Sequence, residues 1–211
     1  MLCPLPTLLL RAQPHNTKKA SHLPRSNFHH HIYQTPPTST REANVANNAI
    51  EMLSLILSAE LTGVTDLRPQ DTEEDPYYYT FKVQCTSCRE THPNWVSFNR
   101  FEQIEIPGSR GEANFVWKCR LCQRTHSASI LAAPTAYADD EKRKGKKVID
   151  LDCRGLEFTE FKPDGEWEAK GVESSTAFTG IDLADGEWYD YDEKAGDEVA
   201  IKEIKWDIGR A

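Results

Sequence analysis

Long apolar runs are absent from this 211-residue chain. A membrane-crossing helix needs about 20 consecutive apolar residues, and no stretch approaches that. Basic charge is scarce in the body: residues 51–211 hold twenty Lys/Arg against thirty-two Asp/Glu, within a whole-chain net charge of −8. A general nucleic-acid binder should carry a basic stripe, so this balance argues against one. Acids are scarce at the other end, where residues 1–50 hold five Lys/Arg and one Glu. Cysteine is limited to six residues, four of them in metal-ligand spacing, which suits a reducing compartment and not a secreted disulfide scaffold. No Gly-rich phosphate loop, Ser-His-Asp set or hydrolytic metal motif occurs. The pair Asp190-x-Asp192 lacks the remaining ligands of a calcium loop, since Lys194 holds the next alternate position. We expect a soluble monomer of the cytoplasm, with the nucleus as a second location.

The most informative stretch runs from Cys85-Thr-Ser-Cys88 to Cys119-Arg-Leu-Cys122, with thirty residues between the pairs. Two residues between cysteines let both sulfurs point into one site from a tight turn. Two such turns supply four thiolates at tetrahedral angles, the closed ligand set of a structural zinc site. Cys85, Cys88, Cys119 and Cys122 are therefore the candidate ligands, and Zn²⁺ is the expected cofactor. Four thiolates around Zn²⁺ leave a formal charge of −2, which favours cations nearby. Lys82, Arg89, Lys118, Arg120 and Arg124 crowd these turns. Arg89 and Gln123 follow the second cysteines, where Gly is often found. The long spacer predicts an inserted hairpin.

Taken in order, residues 1–51 form a segment that cannot bury a core and is expected to be a disordered extension. Its basic, acid-poor composition also fits a transit peptide, and Met52 is a candidate start, with the upstream segment a gene-model artefact. The run His29-His30-His31 reads as solvated tail. From Met52 the pattern is β, with Leu53, Leu55, Leu57, Ala59 and Leu61 alternating at a period of two. Further strands are expected at Tyr77–Gln84, Trp95–Phe98, Ile104–Ile106, Ala113–Lys118 and His126–Ala132, so that each cysteine pair lies where one strand ends and another begins. Residues 133–147 are expected to be a linker, with one or two helical turns before Gly145; its basic end also resembles a nuclear-localisation patch.

Residues 148–211 repeat the logic without the metal. Val148–Cys153 runs into Gly155…Pro163 much as the first strand runs into Gly63…Pro69, and Asp-Gly-Glu-Trp occurs at 164–167 and 185–188. The final strand spans Val199–Trp206. The fold class is mainly β: two related β-rich halves forming a sandwich-like body, 52–132 carrying the four-cysteine site and 148–211 lacking metal.

Two groups of motifs now align in order. Gly63-Val-Thr-Asp-Leu-Arg-Pro69, both Cys-x-x-Cys pairs and Gly108-Ser-Arg-Gly-Glu-Ala-Asn114 form the first. Cys153-Arg-Gly-Leu-Glu157, Gly171-Val-Glu-Ser-Ser-Thr-Ala-Phe178 and Asp190-Tyr-Asp-Glu-Lys194 form the second. From Met52 onward the chain resembles the eukaryotic CXXC-motif-containing zinc-binding protein family, an uncharacterised family. The resemblance implies a two-part β-rich fold, one zinc on Cys85, Cys88, Cys119 and Cys122, and no established catalytic activity.

Three functions are weighed. A zinc-stabilised, non-enzymatic interaction module is preferred, with an unidentified protein partner. Its surface would be the segment Asp182–Glu198, eight acids and one base with Trp188, Tyr189 and Tyr191, which suits a basic or metal-carrying protein. Thiol redox or metal transfer would need a separate reactive cysteine. Within the body that is Cys153, on an apolar strand face, with His92 or His126 as base. A zinc-ribbon nucleic-acid binder is permitted by Trp95, Phe98 and Trp117 but opposed by the charge. No catalytic residue is assigned.

Overall fold

The computed structural model describes residues 50–138 and 145–211. The expectations for the N-terminal extension and for helical turns before Gly145 lie outside those residues. The described chain contains fourteen strands and no helix. The first sequence half supplies β1 (Ile50–Thr62), β2 (Val64–Pro69), β3 (Tyr79–Cys85), β4 (Val96–Phe98), β5 (Ile104–Glu105), β6 (Glu112–Ala113), β7 (Phe115–Lys118) and β8 (Thr125–Ile130). The second supplies β9 (Lys146–Arg154), β10 (Leu156–Lys162), β11 (Glu166–Gly171), β12 (Ala177–Asp182), β13 (Trp188–Asp192) and β14 (Asp197–Arg210).

Strand β1 begins two residues before Met52, and its alternation is realised as expected: Leu53, Leu55, Leu57, Ala59 and Leu61 are all buried. A six-stranded sheet has the order β13-β14-β1-β9-β8-β7, and β10-β3-β4 and β12-β11-β2 form two three-stranded sheets. The spacer between the cysteine pairs contains the expected hairpin, β5 paired with β6. Asn114 fixes its return: its Nδ2 donates to the carbonyls of Arg100 and Glu102, and its Oδ1 accepts the Ile130 N–H at 2.8 Å.

The two sequence halves are related, yet they do not build separate sheets. Long β1 and β9 lie antiparallel at the centre, flanked by β14 and β8 and then by β13 and β7. Exchanging β1 for β9, β8 for β14 and β7 for β13 leaves that order unchanged. The small sheets obey the same exchange with a swap of strands: β2 crosses to pair with β11, and β10 crosses to pair with β3. The reason is local. Gly63 and Gly155, both in the left-handed region at φ 70° and 79°, turn the chain out of the long strand into the neighbouring sheet. A Cβ at Gly63 would also meet Val199 Cγ1 at 2.8 Å. The paired Asp-Gly-Glu-Trp turns precede β11 and β13, which are not equivalent strands.

Tyr137 lies within the stretch 133–147. It is fully buried and bridges Leu67 through reciprocal backbone bonds of 2.9 and 2.8 Å. Its hydroxyl accepts from the Ala59 N–H at 3.1 Å and donates to the Ala59 carbonyl at 2.9 Å. Ala59 falls where the register between β1 and β14 slips, between Ser58 and Glu60. The extra residue lies on β14, where Glu203 holds a left-handed φ of 51°, and across from it the tyrosine oxygen satisfies both backbone groups of Ala59.

Candidate metal centre

Cys85 closes β3, and Cys119 follows β7 directly. Each begins a tight turn that its own backbone closes. The Cys85 N–H donates to the Glu90 carbonyl at 2.9 Å and the Arg89 N–H to the Cys85 carbonyl at 2.8 Å. The Cys119 N–H to the Arg124 carbonyl, and the Gln123 N–H to the Cys119 carbonyl, both at 3.0 Å, repeat the pattern. Arg89 and Gln123, the positions where Gly was the familiar residue, hold left-handed φ values of 62° and 59°. The turn therefore demands that conformation, and these side chains carry its strain.

The structure brings Cys85, Cys88, Cys119 and Cys122 together, all four sulfurs lying within 4.8 Å of one another. Cys85 and Cys122 are 3.7 Å apart and Cys88 and Cys119 are 3.5 Å apart. Disulfides would require about 2.05 Å. Zn–S bonds of about 2.3 Å at tetrahedral angles give S···S separations of about 3.8 Å. The four cysteines thus fit a zinc ion. Cys85 and Cys119 are fully buried, while Cys88 and Cys122 lie half-buried beside exposed Leu121.

Two of the bases expected to crowd the turns are engaged with other groups. Lys82 donates to the Pro93 carbonyl and sits 5.0 Å from the Trp95 ring, and Arg89 pairs with Glu157 at 2.5 Å. Of the five bases, Arg124 ties the two turns together, its Nη1 donating to Ser87 Oγ at 3.1 Å. The groups touching sulfur are others. His126, buried, has Nε2 3.3 Å from Cys85 Sγ, and its Nδ1 is buried with no partner. A thiolate can only accept, so with metal bound Nε2 carries the proton. Burial holds the His126 pKa below its ordinary value, in keeping with a neutral ring. As a thiol, Cys119 Sγ donates to Glu90 Oε2, which also accepts from the Leu121 N–H, each at 2.9 Å. Those bonds hold its carboxyl below the usual carboxylate range. As a thiolate Cys119 has no proton to give, and the Leu121 bond alone holds Glu90 there.

The contact of His126 with Cys85 went unassigned in the sequence. A signal existed: closing a hairpin around Cys119–Arg124 places His126 directly across from Trp117, on the inward face. Glu90 gave no such signal, because its reach to Leu121 depends on how the two turns meet.

Cys153 is elsewhere. It is fully buried on β9 between Glu51 of β1 and Ala128 of β8. Burial, with Asp152 and Glu51 adding, pushes its thiol up to about 12. His126 is directed at Cys85, and His92 packs edge-on against Trp117 with ring centroids 5.8 Å apart.

Residues 54–209 match the family model described as CXXC motif containing zinc binding protein, eukaryotic. A UPF0587 protein of Schizosaccharomyces pombe is 49% identical over 158 residues, spanning 75% of this chain and 98% of that one. The CXXC motif containing zinc binding protein of Homo sapiens is 38% identical over 153 residues, spanning 72% of this chain and 94% of that one. The crystal structure of C1orf123 superposes with a TM-score of 0.69 at 36% identity, covering 76% of this chain and 99% of that chain. A hypothetical protein from Plasmodium falciparum, at 22% identity and a TM-score of 0.67 over 75% of this chain and 99% of that one, shares the fold. A match running from β1 to β14, together with four sulfurs at zinc spacing, leads to one conclusion. This chain belongs to the eukaryotic CXXC motif containing zinc binding protein family and is a zinc-binding protein.

Proposed function

We propose that this protein is a non-enzymatic interaction module whose Cys85, Cys88, Cys119 and Cys122 hold one structural zinc. The observation that carries the reading is the sulfur geometry. Four protein ligands at tetrahedral spacing complete the coordination, leaving no position for water or substrate. The buried, high-pKa thiol of Cys153 supports the non-enzymatic part, since reactivity follows thiolate fraction and access. The recognition surface is edge strand β13, where Tyr189 is 57% and Tyr191 52% exposed among the acids of Asp182–Glu198. Its partner is a basic protein met by a monomer.

The test is elemental analysis with thermal melting. The purified chain should hold one zinc, and Cys85→Ser should lose it together with much of its melting temperature, because metal-binding energy here is folding energy. No metal in fresh wild type, or an unchanged melting temperature in Cys85→Ser, refutes the structural site. For the surface, a basic partner captured by wild type should be lost on Tyr189→Ser/Tyr191→Ser with zinc retained.

One observation favours metal transfer as a second reading. Cys88 and Cys122 are only partly buried and the Glu90 carboxylate lies 2.9 Å from Cys119, a competing donor at the rim. Zinc exchange to a chromogenic chelator should then slow in Glu90→Gln; an unchanged rate removes this reading.

A further inference from the structure

The internal exchange of strands has a consequence for the end of the molecule opposite in topology to the cysteines. Under it, the turn after β3 corresponds to the turn after β11, and the turn between β7 and β8 to the turn between β13 and β14. The backbone bonds agree position by position. As Cys85 N–H bonds Glu90 and Arg89 N–H bonds Cys85, so the Gly171 N–H donates to the Thr176 carbonyl at 2.8 Å and the Ser175 N–H to the Gly171 carbonyl at 3.0 Å. As Gln123 N–H bonds Cys119, so the Gly196 N–H donates to the Asp192 carbonyl at 2.7 Å. The left-handed residue recurs at the same step, Ser175 at φ 55° and Gly196 at 77° beside Arg89 and Gln123. The docking bonds recur too: Thr86 N–H to the Gly155 carbonyl at 3.1 Å, and Val172 N–H to the Gly63 carbonyl at 2.9 Å. Register places Gly171 opposite Val64 as Cys85 stands opposite Leu156. The four ligand positions thus become Gly171, Ser174, Asp192 and Ala195.

We propose that these turns are a second knuckle pair, bridged by the buried Asp192 carboxylate where a metal bridges the first, and convertible to a zinc site by installing four thiols. Asp192 is 1% exposed. Its Oδ1 accepts from Thr176 Oγ1 at 3.0 Å and from the N–H groups of Lys194 at 3.0 Å and Ala195 at 3.2 Å; its Oδ2 accepts from Ser174 Oγ. Two of these donors belong to one turn and two to the other, so the carboxylate cross-links both. Thr176 reaches Asp192 as Glu90, at the matching position, reaches Cys119.

Gly171 supplies the independent observation. A Cβ there would lie 2.5 Å from Asp192 Oδ2 and 2.5 Å from Ser174 Oγ. Its φ is outside the left-handed region, so the backbone accepts any residue; the space is what requires glycine. A side chain at position 171 would project into the cluster, the direction in which Cys85 projects into its own. Carboxylate and glycine are therefore one solution, the oxygen occupying the room the first ligand's side chain would take. With Gly171 and Ala195 offering no donor, two side-chain donors remain, too few for tetrahedral zinc.

The inference rests on the four-thiolate reading of the first pair, and the experiment separates the two. Full-length Gly171→Cys/Ser174→Cys/Asp192→Cys/Ala195→Cys is purified beside wild type and titrated with Co²⁺ alone, reading sulfur-to-cobalt charge transfer per chain. Two equivalents in the variant against one in wild type are expected. None in wild type refutes the first site; one in both, with a folded variant, overturns the second. If the variant does not fold, Asp192→Ala decides by hydrogen exchange. The amides of Lys194, Ala195 and Thr176 should exchange at least tenfold faster, with the amides of Leu121 and Gln123 and the one metal equivalent unchanged. Unchanged protection at Lys194 and Ala195 overturns the carboxylate bridge.

Discussion

Replacing Tyr137 by Phe removes one oxygen and keeps the buried ring. That oxygen serves both the N–H and the carbonyl of Ala59, at 3.1 and 2.9 Å, where the β1 ladder slips past β14. Each buried backbone group left without a partner costs about 1–3 kcal/mol. The phenylalanine no longer carries a hydroxyl into the interior, which offsets about 1–2 kcal/mol. The expected net loss is about 2–4 kcal/mol. At about 2–4 °C per kcal/mol for a chain of this size, the melting temperature should fall by about 4–16 °C. Urea and thermal unfolding at saturating zinc measure it, with metal content checked so that zinc loss is not mistaken for the effect. Tyr137→Leu, which also empties ring volume, should lose more. A Tyr137→Phe loss below about 0.5 kcal/mol would show that Ala59 finds other partners, and the reasoning would fail.

Cys153 should resist iodoacetamide in the folded, zinc-loaded protein, because its thiol is buried and pushed up to about 12; rapid labelling with a midpoint well below that of a free thiol would make it a nucleophile, with His126 or His92 to be tested as base. Cys153→Ala should cost about 1 kcal/mol in packing and leave partner binding intact. Asp192 is held below the ordinary carboxylate range, first by the Ser174 hydroxyl and then by the N–H of Ala195, the Thr176 hydroxyl and the Lys194 N–H. A depressed folded pKa contributes stability above the ordinary value of about 3.9, lost as pH falls through the folded value. The stability gap between wild type and Asp192→Asn should therefore shrink between pH 7 and pH 3; an equal gap at both would remove the carboxylate from the account.

The sequence alone determined whatever depends on near neighbours. Two intervening residues make each Cys-x-x-Cys a single turn, so the ligands were legible without knowing how the turns meet. The alternation of Leu53, Leu55, Leu57, Ala59 and Leu61 settled which face of β1 is buried, because side chains on a strand alternate by geometry. A period of two says that a face is covered and is silent on the strand that covers it. Only tertiary structure decided that β2 pairs with β11 and β10 with β3, and so turned two halves of sequence into one interlocked body. The same limit explains Tyr137, whose value lies in a register slip on a strand 78 residues away. It explains Gly171 as well: the sequence shows a glycine, and only the approach of Asp192 from another hairpin shows what its missing side chain makes room for.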